Sequence, residues 1–284
     1  MVVLVTGANG QLGQSLQFIA KNYPEIDFKF SDSKTLDITN KTNVEHVFEN
    51  YKPDFCINTA AYTAVDKAES EPEKAAKINV IGSKNLAEVC KIFDTVLIHI
   101  STDFVFDGLA TKPYIETDLP NPKCVYGQTK LDGEKAIQET WQKHYIIRTS
   151  WVYSQFGNNF LKTMLRFGRE RNSISVVNDQ IGTPTNAVDL AEVLVKIVAI
   201  NYNQKTENFG IYNFSNQGFC SWYDFAKAIF DNNNLKIDLK PIPTSSYPTP
   251  AERPKYSVLD KSKIENNFKI DIKTWQESLK SVTL

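Results

Sequence analysis

The stretch VLVTGANGQLGQSL, residues 3–16, joins a short aliphatic run to a helix-forming one through Gly7, Gly10 and Gly13. A run of this length and composition reads as a buried parallel strand, and glycines at its end let the backbone turn tightly. Just beyond them, the free N–H groups at a helix start carry partial positive charge, so the turn can seat an anionic pyrophosphate. The strand before and the helix after give the glycines this meaning, since glycine-rich turns also occur where nothing binds.

Outward from this turn, β-branched runs recur at 26–31, 54–58, 95–100 and 145–149, each the length of a buried strand. Helical character fills the gaps at 11–22, 41–51, 72–93 and 125–141. Within 72–93, Ala75, Ile78, Asn79, Gly82, Leu86, Val89 and Cys90 recur at three- and four-residue steps and make one inward stripe. Strand and helix alternate, so the expected fold class is α/β: a Rossmann-like, doubly wound parallel sheet. Past residue 150 the pattern loosens, with helices expected near 160–169, 187–200 and 222–231 and a turn at Asn232, Asn233 and Asn234. The proline-rich residues 241–254 can form neither a regular helix nor a central strand and should be loop or extended chain. The expected organisation is a dinucleotide-binding domain over 1–150, to which a segment around 186–215 returns. Most of 151–284 then forms a smaller C-terminal lobe that binds substrate and closes over a cleft.

Composition narrows the function. The 284 residues, 42% hydrophobic and 23% charged, suffice for one sizeable core with a smaller lobe attached. With 32 basic and 33 acidic residues the chain lacks the basic footprint of a nucleic-acid binder, so a small molecule is the expected ligand. Cys56, Cys90, Cys124 and Cys220 lie far apart, with no Cys/His grouping at metal-ligand spacing, so reduced thiols and no metal are expected. The N-terminus has only a five-residue apolar run before Gly7, too short for a signal peptide, and no stretch approaches the roughly 20 apolar residues of a membrane span. A cytoplasmic protein without membrane contact is the expectation.

The GxxGxxG spacing is that of short-chain dehydrogenases more than of GxGxxG dehydrogenases. Asp32 follows the turn by about 20 residues, where a carboxylate can bind the adenosine ribose hydroxyls. This favours NADH, yet Lys34 with Ser31 or Ser33 could accommodate the 2′-phosphate of NADPH, so both cofactors stay open. Asp37 and Ile38 are weaker candidates for the adenine pocket, and Asp37 could equally cap the next helix.

HISTDFVFDG, residues 99–108, ends a strand with Ser101, Thr102 and Asp103, at the sheet edge where ligands of doubly wound sheets bind. About 24 residues later YGQTK opens a helix with Tyr126 and Lys130 four apart, hence on one face. A phenol is a poor acid–base catalyst near neutrality, and a neighbouring ammonium lowers its pKa. The pair therefore reads as a tuned proton donor: a nicotinamide delivers hydride to a carbonyl carbon, Tyr126 protonates the oxygen and Thr102 donates a hydrogen bond to it. Lys130 would also hold the nicotinamide ribose. His99, in an apolar strand, reads as a core residue, His46 and His144 as surface residues, and Cys124 as a packing residue.

The chain resembles the dTDP-4-dehydrorhamnose reductase family of extended short-chain dehydrogenases. The resemblance runs through TGANGQLG, NTAAYTAVDKAE, NVIGSKNLAEVC, STDFVFDG, YGQTKLDGE, RTSWVYS, DQIGTPT and AERPKYSVLD. It implies reduction of the C4 ketone of dTDP-4-dehydrorhamnose to dTDP-L-rhamnose, with catalysis by Thr102, Tyr126 and Lys130. It further implies that Gly10, Gln11, Leu12, Asp32, Asp37, Ile38, Ala60, Ala61 and Tyr62 line the cofactor site. Trp151, after Arg148, looks like the residue that packs on the deoxysugar, and Asp103 is a second contact. An indole offers apolar area to a sugar's C–H face, and Arg253 could pair with the diphosphate. Gly182, Thr183, Pro184 and Thr185 could make a tight turn near the nucleotide. Related dehydratases carry Glu directly after the Thr-Asp pair, and Phe104 stands there here, which argues for reduction over dehydration. Three alternatives remain at this point: an epimerase, a reductase of another 4-keto sugar nucleotide, or a non-catalytic cofactor-binding regulatory subunit. A homodimer is one open expectation.

Overall fold

Val3 and Val5 point to one face of the first strand and Leu4 to the other, and all three are fully buried, as a strand covered on both sides requires. In the computed structural model this strand, β1 (Val2–Thr6), lies within a six-stranded parallel sheet. The others are β2 (Asp27–Ser31), β3 (Phe55–Asn58), β4 (Val96–Thr102), β5 (His144–Thr149) and β6 (Gly210–Asn213), in the order β6-β5-β4-β3-β1-β2. The structure describes residues 1–204 and 207–282. Positions 205–206, within the 186–215 segment, and 283–284, at the end of the second lobe, lie outside the described residues.

The longer helices are α1 (Gln11–Ala20), α2 (Lys41–Tyr51), α3 (Ser83–Ile92), α4 (Val125–Thr140), α5 (Phe160–Glu170), α6 (Ala187–Gln204) and α7 (Trp222–Asn232). Leu12, Leu16 and Ile19 of α1 and the apolar side of α6 cover Val3, Val5, Ile57, Ile98 and Ile147. Val44 and Phe48 of α2, Leu86 and Val89 of α3 and Ile137 of α4 cover Leu4, Cys56, Leu97 and Ile146 on the opposite face. The sheet is therefore doubly wound. Strand order reverses between β1 and β3, and a crevice opens there at the carboxyl ends of the strands.

The helix expected over 72–93 departs from regularity: a π-helical turn, Lys77–Gly82, separates Pro72–Ala76 from α3. Asn79 within it points inward as the stripe predicts, and its side chain accepts from Tyr62 N at 2.8 Å and donates to Thr129 Oγ1 at 3.0 Å. A second core joins Leu161 and Leu165 of α5, Phe225 and Ile229 of α7, and Trp275. Beside it Ser173–Val177 pairs in parallel with Asp238–Ile242. Pro241 is tolerated in that pairing because it lies in a two-stranded ribbon and not a central strand.

His144 corrects the sequence reading. It is buried at the start of β5, its Nδ1 hydrogen-bonded to the Trp141 carbonyl, because the strand begins one residue earlier than the apolar run suggests. His46 is exposed on α2.

The sheet and α4 are tied by a buried ion pair. Arg148 of β5 donates from Nη2 to Glu134 Oε2 at 2.7 Å and from Nε to Oε1 at 3.0 Å, both side chains at most 2% exposed. Ser101 of β4 donates to the same Glu134 carboxylate. Removing one charge strands the other in a dry interior, so Glu134→Gln should cost roughly 3–5 kcal/mol in urea unfolding. Glu134→Leu combined with Arg148→Met should recover most of that loss, since an apolar pair carries no desolvation cost.

Candidate active site

Tyr126 is brought to the sheet edge by a close backbone approach. A Cβ on Gly127 would lie 2.2 Å from the Phe104 carbonyl oxygen, so only glycine lets the first turn of α4 rest on the turn that follows β4. That turn, Asp103–Val105, is capped by Thr102, whose Oγ1 accepts from Phe104 N at 3.2 Å. Tyr126 lines the same cavity as Thr102, and the Phe104 ring stands edge-on to the phenol at 5.5 Å.

Burial pushes the Tyr126 pKa up, the nearby Asp103 carboxylate adds to this, and the Thr102 hydroxyl only partly offsets it. This corrects the expectation that Lys130 lowers it. The Lys130 Nζ donates to the Ile100 carbonyl at 2.6 Å and lies 3.2 Å from His99 Nε2, with a pKa brought down to about 8 by burial. Tyr126 thus keeps its proton, the state a donor needs. His99 is a core residue, 1% exposed, yet it stands directly behind the Lys130 amine.

Asp103 is 2% exposed and lines the same cavity. Its Oδ1 accepts from Thr102 at 3.0 Å, while Oδ2, which the Ser257 side chain approaches without closing a hydrogen bond, has no partner among the described residues. Desolvation raises its pKa to about 6. A buried acceptor left open beside a reacting centre suits a ligand hydroxyl.

The glycine turn forms the far wall. Gly7 has φ +67°, and a Cβ there would lie 2.6 Å from Ala60 N. Gly10 begins α1 with no side chain capping the first turn, so its N–H groups are free for an anion. Gly13 does something else: buried against Gly7 and Ala8, it packs helix onto strand and does not line the cavity. Gln11 reaches the second lobe, its Oε1 accepting from Asn159 Nδ2 at 2.9 Å.

A cavity of about 690 Å³ joins Gly10, Gln11 and Leu12 to Thr102, Tyr126 and Lys130. A neighbouring one of about 300 Å³ is lined by Gly7, Asp32, Asp37, Ile38, Ala60 and Ala61, and the two share Asn9, Gly10, Thr59 and Ala61. Asp32 stiffens its own turn: Oδ1 accepts from Lys34 N and Thr35 N, each at 3.0 Å, and these bonds hold its carboxyl below the usual range. Asp37 likewise accepts from Thr39 N at 2.9 Å, while Asn40 caps α2. Tyr62 does not join them. Its ring packs against Ala68 and Ala75 and its hydroxyl donates to Glu71 at 2.8 Å, because the alternation of the chain after β3 turns it away from Ala61.

Trp151 has φ +46° and stacks on Trp222, ring centroids 3.6 Å apart and planes 11° apart. Both rings line the cavity. Gly182 is bare because a Cβ would lie 2.6 Å from the Trp151 ring. Gly182, Thr183, Pro184 and Thr185 accordingly form no tight turn but join two short strands. Ile181–Gly182 pairs with Cys220–Ser221 and Thr185–Asn186 with Val152–Tyr153, and these backbone ladders support Trp151 from behind. Arg253 lines the cavity and is held by Asp66 at 2.9 and 2.8 Å. Sequence reasoning missed Trp222, Asn159, Gln180 and Ser257, which also line it. Trp222 carried one usable signal, a large aromatic directly after the Ser221 helix cap, but helix-start aromatics are ordinarily core.

The family model described as RmlD substrate binding domain matches residues 1–283. A dTDP-4-dehydrorhamnose reductase from Aggregatibacter actinomycetemcomitans is 43% identical, covering 99% of this chain and 97% of the relative. The crystal structure of a dTDP-4-dehydrorhamnose reductase from Clostridium acetobutylicum superposes with a TM-score of 0.93 at 44% identity, covering 99% and 97%. A Bacillus anthracis dTDP-4-dehydrorhamnose reductase, solved in complex with NADP, superposes with a TM-score of 0.91 at 43% identity, covering 98% and 96%.

The Asp103 shift has a sign that can be measured. Its folded pKa lies above the unfolded value, so its stabilising contribution is present below pH 3.8 and is lost as pH rises through about 6. The stability of the wild type relative to Asp103→Asn should therefore fall across that window, by roughly 3 kcal/mol in denaturant titrations at successive pH values.

Proposed function

Because the chain belongs to the dTDP-4-dehydrorhamnose reductase (RmlD) family, we propose that it reduces the C4 ketone of dTDP-4-dehydrorhamnose to dTDP-L-rhamnose with NADPH or NADH. The observation that carries this reading is one cavity bounded by the uncapped α1 turn, the Thr102–Tyr126 pair and the Trp151–Trp222 wall. When bound, the nicotinamide cofactor supplies the hydride. The residues present fit it: the bare Gly7 and Gly10 backbone would hold its pyrophosphate, the compartment around Asp32, Asp37, Ile38, Ala60 and Ala61 its adenosine, and Lys130 its nicotinamide ribose.

The chain supplies the rest. Tyr126, proton retained, is the donor to the C4 oxygen, and Thr102 orients that oxygen by a hydrogen bond. The open Asp103 Oδ2 accepts a sugar hydroxyl, and the exposed edge of the tryptophan wall takes the C–H face of the deoxysugar. Arg253 neutralises the diphosphate, exchanging part of its hold on Asp66 for the phosphate oxygens. In this division of labour residues 1–150, with 186–215, form the dinucleotide side, and most of 151–284 the sugar side.

Among the described residues no helix is long and apolar enough to cross a membrane, and no His, Cys, Asp and Glu cluster is arranged for a metal. Two copies of the chain forming a dimer belong to the proposal and are testable by sedimentation.

The test supplies dTDP-4-dehydro-6-deoxyglucose, a 3,5-epimerase, the protein and either cofactor, and follows cofactor oxidation with identification of the product. Oxidation that depends on the epimerase and yields dTDP-L-rhamnose is expected, reduced roughly 10²–10⁴-fold in Tyr126→Phe. Tight cofactor binding without oxidation would overturn the reading in favour of a regulatory subunit.

A further inference from the structure

The loop over residues 154–159 begins the second lobe and lies against the glycine turn, where Gly157 and Asn159 line the same cavity as Gly10 and Gln11. Two contacts press it onto α1. Gly157 has φ +60°, and a Cβ there would lie 2.9 Å from Gln11 Cγ, so bare backbone packs on the glutamine stem. The Phe156 ring meets that of Phe18, centroids 5.9 Å apart. With its stem held, what Gln11 offers the cavity depends on which way its terminal amide faces.

That direction follows from groups whose polarity is fixed. A backbone N–H can only donate, and a backbone carbonyl can only accept. Asn159 Oδ1 caps α5 by accepting from Lys162 N at 3.1 Å, while its Nδ2 donates to the Ser154 and Phe156 carbonyls at 2.8 and 3.1 Å. Neither end of the Asn159 amide can therefore be exchanged for the other. Its Nδ2 also meets Gln11 at 2.9 Å, so the atom it meets must be the acceptor Oε1, to which Ser154 Oγ donates as well at 3.3 Å. Gln11 Nε2 is the end left over, with no hydrogen-bond partner among the described residues. Two N–H donors on this wall, beside the uncapped start of α1, suit an anionic oxygen.

We propose that Asn159 is a positioning residue for the dinucleotide: by occupying Gln11 Oε1 it leaves the Gln11 Nε2 donors for the pyrophosphate at the glycine turn. The proposal rests on the reading of this cavity as a nicotinamide-dinucleotide site. Were the Gln11 amide turned the other way, its oxygen would meet the phosphate oxygens acceptor against acceptor. Part of the grip on the cofactor is thus set from the sugar-binding lobe, because the residue that fixes the donor's direction stands at the start of α5.

NADPH binding without sugar substrate, followed by nicotinamide fluorescence, tests this. Gln11→Glu keeps an oxygen for Asn159 but replaces the donor with a second, charged acceptor, so Kd should rise roughly tenfold or more. Asn159→Ser preserves the cap of α5, since a serine hydroxyl can accept from Lys162 N, but its side chain ends short of Gln11. It should raise Kd about fivefold in the wild-type background and leave it unmoved in a Gln11→Ala background. A loop that only supported the lobe would weaken binding equally in both backgrounds, and that result overturns the proposal. So does a Gln11→Glu protein that binds NADPH like the wild type. Adenosine 2′-monophosphate, which carries the adenosine without the pyrophosphate, should compete equally well in every variant; a parallel loss of its binding would trace the effect to a disturbed site and sink the idea. Wild-type protein that binds NADPH yet turns over no keto sugar would count against the reductase reading alone.

Discussion

The buried Arg148–Glu134 pair, with Ser101 as its third member, is the constraint on which the site depends. It joins β4, β5 and α4 at a point where neither charge can find water, so the helix cannot slide or rotate without exposing an unpaired ion to the core. Arg148 is further held over the Phe106 ring, 5.1 Å from its centroid. Lys130 lies one helical turn before Glu134 and Tyr126 two turns before it. Anchoring Glu134 therefore fixes the azimuth of both toward the ends of β4 and β5.

Glycine completes what the ion pair begins. Gly127 and Gly133 lie under carbonyl oxygens of Phe104 and Asn79, each at 2.2 Å from where a Cβ would stand, so α4 nestles against the turn after β4 and the π-turn before α3. This closeness dries the site. Desolvation is the leading influence on Tyr126, Lys130, Asp103 and His99 alike, and it favours the neutral form of each. A reducing site that begins with a protonated phenol follows from packing before any specific charge is considered.

The second lobe closes this arrangement through a few long-range contacts. Asn159 meets Gln11 across the glycine turn, Arg253 meets Asp66, and Trp151 is pressed between Trp222 and Gly182. The positive φ of Trp151 is the kind of backbone strain that survives only where surrounding packing dictates it, and it lies on the cavity wall.

Local chemistry made the α/β alternation, the uncapped turn at Gly10 and the four-residue step from Tyr126 to Lys130 legible, because each depends on neighbours within one strand or one helical turn. Strand β5 was one residue longer than its apolar run, which concealed the burial of His144, and the inward turn of Asn79 concealed the π-turn. Tyr62 and Gly13 sit in motifs beside cavity-lining residues but face the core, since a one-residue step in an irregular segment or at a helix start reverses direction. The sequence by itself determined the order of elements and the chemical groups offered at the sheet edge. Only the tertiary structure decided which groups meet, such as Trp222 with Trp151 or His99 with Lys130, and what protonation they hold. Those depend on contacts between distant residues and on the exclusion of water, neither of which a local pattern encodes.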